Sequence, residues 1–131
     1  LLDIYMKHVR SVVEFSAVAW HAGLTVANTQ QLERVQKAAF AIILGKSDNS
    51  YQRACSILSM TTLTNRREKL VLNFAVKATK HPEHKEWFVP HVQTHNTRIN
   101  KPSFLPPQAR TQRLFNSAIP QMIQLMNTNH R

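Results

Sequence analysis

Glycine is nearly absent: Gly23 and Gly45 are the only two in 131 residues. A sheet protein of this size spends more glycine on tight turns, and a phosphate loop of the G-x-x-x-x-G-K-[ST] or G-x-G-x-x-G kind does not fit within two. The single cysteine, Cys55, rules out an intramolecular disulfide and a Cys-based zinc finger, and fits a reducing compartment, nucleus or cytoplasm. Long apolar runs are missing too. The longest, Ala38 to Leu44, has seven residues, about a third of a bilayer span. Asp3, Lys7 and Arg10 stand where a signal peptide would be apolar, so no membrane association is expected. The chain opens on leucine, which reads as a piece of something longer. Acid is the last scarcity: seven Asp plus Glu face seventeen Lys plus Arg, giving a formal charge of +10, and no carboxylate follows Glu86. A metal-dependent nuclease or polymerase centre needs clustered carboxylates to hold two cations. These are scattered, most beside a basic neighbour (Glu14 near Arg10, Glu33 near Lys37, Glu68 near Arg67), the pattern of surface helix pairing.

What is present is helical periodicity. From Leu2 to about Ser16, the residues Ile4, Tyr5, Val9, Val12, Val13 and Ser16 recur at spacings of three and four, opposite Lys7, Arg10 and Glu14. Thr25 offers a cap to a second helix whose stripe is Leu32, Val35, Ala39, Ile42 and Ile43, closed by Gly45 at positive φ. A shorter helix is expected from Ser50 to Leu58, with Ala54, Ile57 and Leu58 inward and Cys55 a small core residue. A fourth begins at a Thr62 or Thr64 cap, carries Leu70, Val71, Phe74 and Ala78, places Lys77 and Lys80 at its negative end, and stops at Pro82. A turn of helix over Glu83 to Phe88 follows. Pro90, Pro102, Pro106 and Pro107 among polar residues make 89–109 read as extended or disordered and poorly packed. Ile119 to Met126, with Pro120 in a first turn, restores a short docking helix over 117–127.

The expected fold class is therefore all-α: a small bundle of about four helices over 1–88, then a basic, extended, partly disordered tail over 89–131 ending in that helix. A chain this long buries roughly two thirds of its unfolded surface, enough for one core and not two. Trp20 and Phe74 are expected to be buried in it.

Histidines and cations remain. His81-x2-His84 and His91-x3-His95 offer four imidazoles to a zinc ion. The intervening Trp87-Phe88-Val89-Pro90 reads instead as an anchor, and no carboxylate sits among the later pair to orient the rings. A polar linker without metal or other cofactor is the expectation. Eleven of the seventeen Lys and Arg lie from Arg66 onward. Arg66, Arg67 and Lys69 open the fourth helix and Lys77 and Lys80 close it, a distribution that attracts phosphate. Arg34 and Lys37 on the second helix are further candidates.

The order of residues also carries a resemblance. Arg10-Ser-Val-Val-Glu14-Phe15, Ala19-Trp20-His21 and Gly23-Leu24-Thr25 form its first block, and Leu32-Glu33-Arg34-Val35-Gln36-Lys37-Ala38 with Ile42-Ile43-Leu44-Gly45 its second. Ser50-Tyr51, Ala54, Leu63, Asn65-Arg66-Arg67-Glu68-Lys69-Leu70 and Asn73-Phe74-Ala75 make the third; Arg110, Arg113, Phe115, Ser117, Ile119-Pro120 and Leu125-Met126-Asn127 make the fourth. Taken in order, these blocks resemble the C-terminal region of jockey-like non-LTR retrotransposon reverse transcriptases, downstream of the polymerase palm. Phe15 departs from the usual Tyr, Ala39 from a frequent basic residue, and a proline common before the Trp is missing. The resemblance implies a helical thumb or post-thumb region of an RNA-directed DNA polymerase. The family's Tyr-x-Asp-Asp catalytic turn lies upstream, and no Asp-Asp pair occurs here, so no enzyme activity is expected of this chain alone. Expected partners are RNA and RNA:DNA hybrid, gripped by the backbone, and the rest of the polyprotein. The alternative is a protein-interaction module derived from such an element, docking through apolar helix faces and Ile119–Met126.

Overall fold

A computed structural model describes residues 1–45, 50–92 and 103–129. It is mostly helical, and no strand occurs among the described residues. The first helical run comprises α1 (Leu2–Ile4), a π-helical stretch (Tyr5–Arg10) and α2 (Ser11–Glu14); α3 (Ala17–Trp20) leads into a 3-10 turn at His21–Gly23. Then come α4 (Val26–Leu44), α5 (Tyr51–Ile57), α6 (Leu63–Ala78), a 3-10 turn at Lys85–Trp87, α7 (Gln112–Phe115) and α8 (Ala118–Asn129). No helix among the described residues is long and apolar enough to cross a membrane.

Local chemistry starts and stops these helices where their caps stand. Thr25 is extended and its hydroxyl accepts from Asn28 N–H at the start of α4. Ser50 does the same for Arg53 N–H in α5, and Thr62 for Asn65 N–H in α6 at 3.2 Å. Gly45 ends α4 at φ 76°, a backbone that side chains resist. Ser59, at φ 52°, closes α5 while Met60 N–H reaches back to the Cys55 carbonyl at 2.8 Å.

The chain divides into two compact units, Leu1–Ala17 with Leu24–Lys69, and Val18–Gly23 with Leu70–Arg131. The seam expected at 88/89 does not coincide with this division. Each unit also has its own apolar cluster where a single core was expected. In the first unit, Tyr5, Phe40, Ala54 and Cys55 are buried, with Tyr5 edge-on to Phe40 at 5.7 Å between ring centroids. In the second, Val71, Ala75 and Ala78 of α6 meet Phe88 and Met122, Ile123 and Met126 of α8. The α8 segment 119–126 thus spends its apolar face inside its own unit: Ile123 is 0 % exposed. That corrects the expectation of an outward docking face there.

Within residues 103–109, Phe104 is held where a loose tail was expected, while Leu105 to Gln108 are exposed and without regular structure, as expected. Phe104 bridges Pro90 in antiparallel fashion and meets Phe88 edge-on at 5.9 Å. The Asn127 side chain accepts from Phe104 N–H and donates to its carbonyl, both at 3.0 Å. Residues 93–102, the middle of the expected disordered stretch, lie outside the described residues.

The expected stripes are met in part: Val71 and Ala78 of α6 are buried, and Ala39 and Ile43 of α4 pack part-buried against the first cluster. On α4 the buried residues are Gln36 and Phe40, while Ile42 is 71 % exposed. On α6 the inner row is Leu63, Arg67, Val71, Ala75 and Ala78, and Phe74 is 37 % exposed. Trp20 is half-buried, and Ile57 is exposed.

Candidate nucleic-acid interface

The sequence of α6 places its cations by phase. At about 100° per residue, Arg66, Lys69, Asn73, Lys77 and, just past the helix end, Lys80 share one face; Leu63, Arg67, Val71, Ala75 and Ala78 share the opposite one. Burial follows this division. Lys69, Lys77 and Lys80 are exposed and in no ion pair among the described residues. Arg66 is half-exposed, with its Nε 3.4 Å from Glu14 Oε2; Glu14 also pairs with Arg10 at 2.6 Å. Arg34 and Lys37 are exposed on α4, where they line a cleft of ≈ 310 Å³ with Thr29, Gln30, Glu33 and Tyr51.

Arg67 is the correction. It is 0 % exposed, with Nη2 donating to Thr64 Oγ1 at 3.3 Å, so its guanidinium is closed to any phosphate. Burial holds it below the usual guanidinium value, against the pull of Glu33, Glu68 and Glu14. Its place on the inner row makes it part of a polar cluster that sequence reading missed.

Glu33 is the centre of that cluster. Its carboxylate accepts from Leu63 N–H (3.3 Å), Thr64 N–H (2.7 Å), Thr64 Oγ1 (2.7 Å) and the Tyr51 hydroxyl. A carboxylate on α4 therefore satisfies free amides and the positive end of α6, in place of the expected surface pair with Lys37. Tyr5 donates to Gln36 Oε1 (2.8 Å), and Gln36 Nε2 donates to Tyr51 Oη and to the Thr61 carbonyl, each at 2.9 Å. Burial pushes the Glu33 carboxyl up, but the bonds from Tyr51, Thr64 and Leu63 outweigh it and leave the group below the usual carboxylate range. Burial, then the adjacent Glu33, drives the Tyr51 phenol far up. Burial takes Tyr5 up to about 12, with Arg10 opposing. Each phenol stays a donor at neutral pH. Burial also raises the Cys55 thiol, away from the thiolate form that a nucleophile needs.

The described residues bring together only part of the four-imidazole set. Among the described residues, His81, Glu83 and His84 bring donor atoms within 4.8 Å of one another; His91 is not in this group, and His95 lies outside the described residues. His81 and His84 instead stack, with centroids 5.0 Å apart and planes at 27°, and His84 stacks on Trp87 at 4.4 Å and 19°. The signal for this column was the spacing of three between the rings. Comparison of the chain with protein-family models, curated proteins and solved structures finds no significant match.

Proposed function

We propose that this chain is a non-catalytic helical module of a non-LTR retrotransposon reverse transcriptase, acting in the nucleus or cytoplasm. In this reading it holds RNA and RNA:DNA hybrid by the backbone alongside the rest of the polyprotein. The observation that carries the reading is the α6 face bearing Arg66, Lys69, Lys77 and Lys80 opposite the helix's buried row. Grip of this kind calls for cations fixed on a rigid helix and no pattern of base-reading groups, because a polymerase passes over every sequence. Arg34 and Lys37 add exposed cations on α4, and Arg67 supports α6 from within. Two of the four blocks that carry the resemblance have a structural reason to occur together: Glu33 and Gln36 from the second, and Tyr51 and Arg67 from the third, gather around the start of α6.

One observation favours the docking alternative. Trp87, Val89, Leu105 and Leu114 are exposed and line a groove of ≈ 430 Å³ with Pro106, Pro107, Ile119 and Pro120. Salt separates the two readings. Backbone grip releases counterions, so log affinity should fall against log salt with a slope of about 0.7 to 0.9 per phosphate engaged; apolar docking should hardly respond. Lys69→Ala, Lys77→Ala and Lys80→Ala together should weaken binding to all sequences alike and flatten the slope. The control Arg110→Ala with Arg113→Ala should do less. Absence of binding at low salt, or a control as damaging as the α6 change, overturns the grip.

A further inference from the structure

The ring column in the second unit has no part in the backbone grip just described. The backbone turns there are of the three-residue kind: His84 N–H reaches the His81 carbonyl and Trp87 N–H the His84 carbonyl, both at 3.1 Å. Three residues per turn eclipses side chains at i and i+3, which sets His81, His84 and Trp87 one above another. Pro82, inside the first turn, fixes its own φ and helps hold that geometry. His81 is the end ring and is exposed; its ring partner among the described residues is His84. A row of flat π-faces ending in solvent, close in sequence to Lys77, Lys80 and Lys85, offers what a single strand requires: a platform for a base and cations for the chain that carries it.

We propose that the His81–His84–Trp87 column is a stacking platform for an unpaired base of single-stranded nucleic acid, with the base lying on the outer face of His81. This rests on the nucleic-acid reading and adds to it a preference for single strands, because bases paired inside a duplex have no free face to give. The column adds little charge. Glu83 and Glu86 offset two of the three ammonium groups of Lys77, Lys80 and Lys85, so its contribution should be far less sensitive to salt than that of α6.

The test uses the full chain with fluorescent oligouridylate, oligothymidylate and a blunt RNA duplex, each titrated at low and high salt. Both single strands are expected to bind more tightly than the duplex and to quench tryptophan emission, the quenching disappearing in Trp87→Phe. His81→Ala should lower single-strand affinity about fivefold to tenfold at both salt levels, leave the salt slope and duplex affinity unchanged, and erase the preference. His81→Phe keeps a stacking face and should restore it. If His81→Ala binds as the parent does, or if His81→Phe fails like His81→Ala and a chelator reproduces the loss, the platform is overturned while the α6 grip stands. Loss of the salt slope with the column variants intact would instead count against the grip. A preference for oligouridylate over oligothymidylate places RNA as the strand; equal binding places the base itself as the determinant, and either supports the platform.

Discussion

In the unit made of Leu1–Ala17 and Leu24–Lys69, the innermost side chains include a glutamine and an arginine. In the unit made of Val18–Gly23 and Leu70–Arg131, every fully buried side chain among the described residues is apolar. The first interior is held in register by directional bonds through Glu33, Gln36, Tyr5 and Tyr51. The second is filled by Val71, Phe88, Met122, Ile123 and Met126, whose contacts have no preferred direction. Directional bonds reward one arrangement and penalise its neighbours steeply, whereas apolar packing of similar volume tolerates exchange. The first unit should therefore be the more exacting of the two.

The comparison holds only if both interiors are tightly packed, so the largest effects come first. Phe40→Ala should cost about 3 to 5 kcal/mol and Ile123→Ala about 2 to 5 kcal/mol, read by denaturant unfolding and by amide exchange in the unit concerned. A loss below about 1 kcal/mol at either position would show that its cluster is not close-packed. A matched exchange then separates the two kinds of interior. Gln36→Met keeps the approximate shape but strips partners from Tyr5, Tyr51 and the Thr61 carbonyl, at about 1 to 3 kcal/mol for each group left unmet. Met122→Leu should cost less than about 1.5 kcal/mol. Equal costs would erase the distinction.

Acid sharpens it further. Glu33 titrates below its ordinary value when folded, so its stabilisation is present above the unfolded value and disappears as pH falls through the folded one. Glu33→Gln should remove about 1.5 to 3 kcal/mol at neutral pH and flatten the acid limb of a stability–pH curve. If the curves of parent and variant run parallel through the acid range, the carboxylate does not cap α6. A polar clamp in the second unit carries a further test: Asn127→Ala gives up two neutral hydrogen bonds, about 0.5 to 1.5 kcal/mol each. Proteolysis near Phe104 should then accelerate, and unchanged cleavage would argue against the clamp.

What the sequence revealed and what it hid follow from range. Thr25, Ser50 and Thr62 act on amides three residues away, so helix starts were legible locally, as were the exposed cations of α6. Gln36 and Arg67 were misleading because each is a polar residue on a buried row. A reading of apolar residues alone passes over Arg67 on its row, and places Phe74 inward and Arg67 outward. The bonds that let such polar residues be buried come from residues such as Tyr5, 31 positions from Gln36, which no local pattern reports. The same holds for Asn127 and Phe104, 23 positions apart. The ring column was visible as a spacing of three but was read as possible ligand spacing, because a stack and a chelate use the same residues at the same interval.

The hold of Glu33 on the first amides of α6 also acts as a rotational index. Those two bonds fix where the helix begins its count, and every later residue inherits its azimuth from that origin. One residue inserted after Thr64 would leave the cap in place yet turn the next turn of the helix by about 100° about that cap, taking Arg67 off the row that Leu63 begins and Arg66 away from Glu14. Lengthening α6 by seven residues, close to two whole turns, would preserve the azimuth. The composition of this helix can therefore vary more freely than its numbering.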